Sequence, residues 1–218
     1  MTIPVLTIDG PSGAGKGTIS RAIAQKLGWH YLDSGSIYRS LAIAVLNRGT
    51  DIQDAAAVAA VAVALVLEFE CGETLSVTLD GLDITTQLGL EDTGRVASTI
   101  AAYPDVRAVL LQKQKDFKQP PGLVADGRDM GSVVFPDAAV KVYLTASAEA
   151  RALRRYKQLK EKGIDAILTQ ITQDIEERDR RDQERASAPL MVAEGAFYID
   201  SSVMTVDEVM NEVLRLIH

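Results

Sequence analysis

Residues Gly10-Pro11-Ser12-Gly13-Ala14-Gly15-Lys16-Gly17-Thr18 have types and spacing suited to holding phosphate. They follow the apolar run Pro4-Val5-Leu6-Thr7-Ile8 and open a segment with helical patterning. Strand, glycine-rich turn and helix, in that order, is the context of a P-loop. Glycines let the backbone turn tightly, so that successive N–H groups point at phosphate oxygens. The helix N-terminus adds partial positive charge, and Lys16 adds a full one for the β- and γ-phosphates. Gly17 stands where the G-x-x-x-x-G-K-[ST] pattern has a Mg²⁺-binding hydroxyl, and Thr18 follows one step later. This loop predicts binding of a nucleoside triphosphate.

The elements that must position this loop alternate. Strands are expected at 4–9, 29–32, 122–126, 139–145 and 196–200, and helices at 16–27, 36–48, 92–117, 147–162, 165–185 and 205–217. That alternation predicts an α/β fold, a largely parallel sheet covered by helices. Asp33-Ser34 can cap one helix, and Thr205 with Glu208 fits a capping box for the last. Residues 66–86 break the pattern: two alternating runs and the tight-turn pair Asp80-Gly81 predict a small antiparallel β insert.

Two further clusters sit after expected strands. Leu123-Val124-Ala125-Asp126 has the form of a Walker-B strand whose carboxylate would hold Mg²⁺ directly or through water. It runs into Gly127-Arg128-Asp129-Met130-Gly131, at the strand end where open α/β sheets bind ligands; a surface ion pair between Arg128 and Asp129 is the plainer reading. Asp33-Ser34-Gly35-Ser36-Ile37-Tyr38-Arg39 starts a helix from which Arg39 can reach a phosphate; capping by Asp33 or Ser34 and a solvated arginine is the plainer reading. Residues 151–189 concentrate Arg151, Arg154, Arg155, Arg178, Arg180, Arg181 and Arg185. They predict either a solvated charged helix or a mobile flap over a polyanion.

The bulk properties exclude several classes. The chain has 218 residues, 47% hydrophobic and 24% charged, as in a soluble globular protein. A net charge of −7 argues against nonspecific nucleic-acid binding. The single cysteine, Cys71, allows no internal disulfide and suits a reducing compartment. The N-terminus enters a strand directly, and the Ala/Val-rich stretch 55–67 is too short for a bilayer, so no leader or membrane span is expected and a cytoplasmic location is. Neither His30 nor His218 suggests catalysis, and no Cys/His set has metal-ligand spacing. Trp29, Tyr31, Met130, Phe135 and Tyr143, in or beside strands, read as core.

GPSGAGKGT, DSGSIYR, ADGRDMG and ERDRRDQER together resemble the bacterial cytidylate kinases, a family of nucleoside monophosphate kinases, across essentially the whole chain. The resemblance implies a P-loop NTPase three-layer fold with a five-stranded parallel sheet. It divides the chain into a core of 1–36, 119–150 and 190–218, an acceptor-binding lobe of 37–118 with the β insert, and a short helical lid of 151–189. It implies a monomer that moves the γ-phosphoryl of MgATP to CMP or dCMP. Gly10 to Thr18 with Arg151 and Arg155 would bind ATP. Ser34, Arg39, Ser98, Arg107, Arg128, Asp129, Arg178, Asp182 and Arg185 would bind CMP, with Lys16, Arg128, Arg155 and Arg185 catalytic and Thr18 and Asp126 on Mg²⁺. Arg154 competes with Arg151 and Arg155 for the donor. Without the resemblance, Ser98 reads as an ordinary helix serine and Arg107 as facing water. A kinase for another acceptor (UMP, AMP, shikimate or dephospho-coenzyme A) is the nearest rival. A nucleotide-dependent switch lacks support, since no Asn-Lys-x-Asp guanine reader occurs.

Overall fold

The structure is a computed structural model that describes residues 2–71, 75–161, 163–184 and 186–217, with only the backbone considered at Glu70 and Cys71. In chain order it contains β1 (Val5–Asp9), α1 (Lys16–Leu27), β2 (His30–Asp33), α2 (Ser34–Asn47) and α3 (Ala55–Val63). Next come β3 (Leu67–Cys71), β4 (Leu75–Leu79), β5 (Leu82–Asp83), α4 (Glu91–Ile100), α5 (Pro104–Lys115) and β6 (Leu123–Gly127). The last are β7 (Val140–Thr145), α6 (Ala148–Glu161), α7 (Leu168–Glu184), β8 (Phe197–Asp200) and α8 (Val206–Arg215).

Five strands form the expected parallel sheet, each within a residue or two of its predicted span, in the order β2-β6-β1-β7-β8. The period of two sorts the core between its faces. Leu6, Ile8, Val124, Val142 and Leu144 pack with α1 and α8, whereas Val5, Leu123 and Ala125 pack with α2 and α5. All five residues of β1 and all five of β6 are buried, as covering on both sides demands. The Thr205 capping box is present, with Glu208 N donating to Thr205 Oγ1 at 3.3 Å and Thr205 N to Glu208 Oε2 at 2.8 Å.

The β insert is also present: β3, β4 and β5 form an antiparallel sheet. Asp80 (φ 50°) and Gly81 (φ 80°) make the predicted tight turn. The helical part needs two corrections. The single helix expected over 92–117 is two, α4 and α5, because Pro104 lacks an N–H for the i−4 carbonyl and holds Tyr103 extended (φ −80°, ψ 120°). Pro104 instead opens α5, where its missing donor costs nothing. No helix was expected at 55–67, yet α3 forms there. Asp54 caps it, accepting from Ala57 N at 3.0 Å, and alanine favours the helix most. Among the described residues no helix is long and apolar enough to cross a membrane.

Candidate active site

The loop between β1 and α1 is shaped by close approach. A Cβ on Gly10 would stand 1.9 Å from the Leu144 carbonyl oxygen of β7, and Gly13 (φ 78°) and Gly15 (φ 95°) take left-handed backbone. Gly15 is the N-cap of α1, so the loop ends on the free N–H groups of a helix start. Lys16 is buried, and its Nζ donates to the Pro11 carbonyl at 2.8 Å across the loop. Burial, reinforced by Arg128, lowers its pKa to about 7 against the pull of Asp126, Asp9 and Asp33. An anion beside this ammonium would restore its charge.

Asp126, the penultimate residue of β6, is buried beside the loop. The Tyr31 hydroxyl donates to Asp126 Oδ2 at 2.7 Å. Burial, then the nearby Asp33, raises the Asp126 pKa to about 7. A side chain on Gly17 would begin 3.5 Å from the Tyr31 hydroxyl and 3.8 Å from Asp126 Oδ2; glycine leaves that space open to the cleft that Thr18 also lines. A buried carboxylate, a hydroxyl and open room suit a hard cation that keeps water and phosphate ligands. Mg²⁺ fits these residues. No group of three or more acidic, His or Cys ligands occurs among the described residues.

Both sites open on one cleft of about 1170 Å³ between the loop, α2, α4, the end of β6, α6 and α7. Asp33 caps α2, accepting from Ser36 N at 3.0 Å, and Ser34 Oγ donates to the buried Gln114 Oε1 at 2.7 Å. Arg39 donates to the Leu88 carbonyl and lies against Gly94, where a Cβ would stand 2.9 Å from its guanidinium; burial lowers its pKa. Arg128 Nε donates to Asp182 Oδ2 at 2.8 Å. Burial opposes the Arg128 charge, but Asp182 outweighs it and raises the pKa. Arg178, one turn before Asp182 on α7, has a buried Nε without a hydrogen-bond partner among the described residues. Burial, then Arg128, lowers its pKa to about 10.

Arg107 and Asp129 form an ion pair, their side chains only 11% and 4% exposed. Arg107 therefore does not face water, and Arg128 and Asp129 are not each other's surface partner. Arg107 also donates to the Ala101 carbonyl at 3.2 Å, in the break that Pro104 imposes. The same break sets Ser98 on α4 and Arg107 on α5, both against the cleft. Ser98 Oγ is buried with no hydrogen-bond partner among the described residues.

The arginines of α6 have distinct neighbours. Arg151 is buried, donating to the Ala146 carbonyl at 2.8 Å, to the Ser12 carbonyl at 3.0 Å and to both oxygens of Asp179 on α7. Arg154 donates to the Ala14 carbonyl at 3.4 Å and to Ser201. Arg155 pairs with Glu91 at the start of α4, across the mouth of the cleft. Arg185 lies outside the described residues.

Sequence reading missed two contributors. Tyr31 reads as core and is buried, but its hydroxyl holds Asp126; only the parallel register of β2 and β6 reveals that. Asp9 drew no attention although it is buried and accepts two backbone N–H groups from the turn after Asp129. A carboxylate at the end of an otherwise apolar strand was its signal.

The sequence model of one family, described as cytidylate kinase, matches residues 6–218. A protein named cytidylate kinase from Methylococcus capsulatus is 58% identical over 216 residues, covering 99% of this chain and 97% of its own length. Another so named, from Aeromonas salmonicida, is 53% identical over 212 residues, covering 97% and 92%.

Proposed function

This chain belongs to the cytidylate kinase family, and we propose that the residues of its cleft bind ATP and the acceptor nucleotide in line. The enzyme transfers the γ-phosphoryl of ATP to CMP or dCMP, giving CDP or dCDP and ADP. Phosphoryl transfer needs no protein nucleophile, so catalysis is alignment plus neutralisation of the moving charge. The observation that carries the residue assignments is one cleft lined both by Lys16 and its loop and by Arg39, Arg128, Arg178 and the Arg107–Asp129 pair.

Gly10 to Thr18 cradle the donor phosphates, and Lys16 balances their charge. Arg155 reaches the donor phosphates, and Arg151 holds the donor end of the cleft through the Ser12 carbonyl. Thr18 and Asp126 hold Mg²⁺, which when bound offsets phosphate charge. Arg39, Arg128, Arg178 and Arg185 take the acceptor phosphate, with Ser34 and Asp182 fixing the surrounding helices and the acceptor. Several preset cations supply orientation worth several kcal/mol of barrier, about 7 or more in well-aligned systems.

Ser98, Arg107 and Asp129 read the base. Cytosine presents an amine donor beside acceptors at N3 and O2, which suits a carboxylate and an arginine. Uracil reverses two of these signs, leaving buried polar groups unpaired. Residues 37–118 act as the acceptor lobe and 151–189 as a lid that excludes water, on a core of 1–36, 119–150 and 190–218. The enzyme works as a monomer, as the family likeness favours, in the reducing cytoplasm that its single cysteine suits.

A coupled assay of ADP formation from MgATP with CMP, dCMP, UMP or AMP tests the base-reading set. Fast turnover with CMP and dCMP and slow turnover with UMP is expected. Equal rates with CMP and UMP would remove the roles given to Ser98, Arg107 and Asp129.

A further inference from the structure

We propose that Asp9 is a positioning residue that locks the base-reading Asp129 into register with the phosphate loop. Asp9 is the last residue of β1 and immediately precedes Gly10, where the loop begins. Its side chain reaches the turn that follows Asp129. Oδ1 accepts from Met130 N at 2.8 Å, and Oδ2 accepts from Gly131 N at 2.7 Å. Met130–Val134 is a single π-helical turn, whose first N–H groups have no partner within the turn. Asp9 satisfies two of them with one buried carboxylate, and charge-assisted bonds of this kind are the strong ones.

The turn is also pressed onto β1. A Cβ on Gly131 would lie 2.8 Å from Thr7 Oγ1 and 3.3 Å from Asp9 Oδ2. Thr7 and Asp9 share one face of the strand, so the alternation of β1 brings both against the turn. Beyond the turn, Asp129 pairs with Arg107 and Arg128 pairs with Asp182. One side chain thus connects the backbone that starts the donor loop to the backbone that aims two acceptor-side residues. Asp9 remains buried and acts through Asp129, not on a nucleotide. Burial raises its pKa to about 6, so it is ionised at neutral pH and can accept both bonds.

The inference rests on Asp129 reading the base, and the test separates the two. Asp9→Asn keeps the shape but turns an NH₂ group toward one of the two N–H donors. The full-length variant, checked for folding by its melting transition, is expected to raise the KM for CMP by about tenfold. It should lose a similar factor in CMP-over-UMP preference, with the KM for ATP changed less than about threefold. Gly131→Ala displaces the same turn without altering the carboxylate, should give the same pattern, and serves where Asp9→Asn does not fold. Asp129→Ala is measured beside them. If Asp129→Ala loses base preference and folded Asp9→Asn and Gly131→Ala keep it, Asp9 has no such role. Equal losses for ATP and CMP with base choice intact would mean a merely structural residue and overturn the inference. Should Asp129→Ala itself keep base preference, the base-reading assignment falls and this inference with it.

Discussion

Arg128 Nε donates to Asp182 Oδ2 at 2.8 Å, tying the residue after β6 to the last turn of α7. Asp182 is fixed further by its own carbonyl, which accepts from Leu190 N at 2.7 Å. Arg178, one turn before Asp182, has a buried Nε with no hydrogen-bond partner among the described residues, and with Arg39 it forms a cationic excess. That excess costs stability until an anion arrives. The acceptor phosphate is the anion proposed for it.

Arg178→Met is therefore expected to leave the melting temperature of the free protein unchanged or raise it, since a buried cation with a lowered pKa is removed. Its KM for CMP should rise by at least about tenfold, the loss of a charged hydrogen bond worth roughly 1.5–3 kcal/mol. Melting curves with and without CMP check both halves. A large fall in melting temperature with CMP binding intact would make Arg178 a structural residue.

Ser98→Ala removes a buried hydroxyl with no hydrogen-bond partner among the described residues, so the free protein should lose no stability. In the proposed acceptor site this hydroxyl bonds the substrate, so KM for CMP should rise about five- to thirtyfold, roughly 1–2 kcal/mol. Steady-state kinetics with CMP and ATP varied in turn would show the rise on the CMP side alone. An unchanged KM for CMP would remove Ser98 from the acceptor site.

The sequence made the sheet legible because its strands are short, largely apolar runs and most are set off by helical segments, so periodicity and order agree. The phosphate loop was legible because Gly10, Gly13, Gly15 and Lys16 fall within one short stretch of chain. The acceptor side was different. Arg107 and Asp129 are 22 residues apart, and their pairing depends on the break before Pro104, which helical periodicity over 92–117 conceals. Ser98 carries no local signal at all, and only the family resemblance pointed to it. Tyr31 and Asp9 look like strand residues because they are; their polar roles depend on which neighbour the sheet supplies.

Lys16→Met should abolish transfer, with kcat down by at least about 10²-fold, as for loss of a preorganised charge at a developing anion. The fold should persist. The Lys16 pKa is already lowered to about 7 by burial, so replacing the ammonium by an apolar chain is expected to leave the melting temperature equal or higher. Near-normal turnover in the variant would refute the assignment of the loop.

The pH dependence of stability follows from Asp9. Its pKa is raised by burial from 3.8 to about 6 in the folded protein. Below about pH 4 the carboxyl is protonated in both folded and unfolded chains, and its contribution to stability is greatest. As pH rises to about 6 the unfolded chain ionises first, so stability falls, and above that the loss is complete. Asp9→Asn cannot titrate, so its stability relative to the wild type should climb through this window and then level off, by on the order of 1–3 kcal/mol. Urea unfolding of the two proteins at a series of pH values measures the difference directly, with the other carboxylates cancelling between them. Curves that stay parallel from mildly acid to neutral pH would show that Asp9 is not held in a buried, charge-disfavouring site.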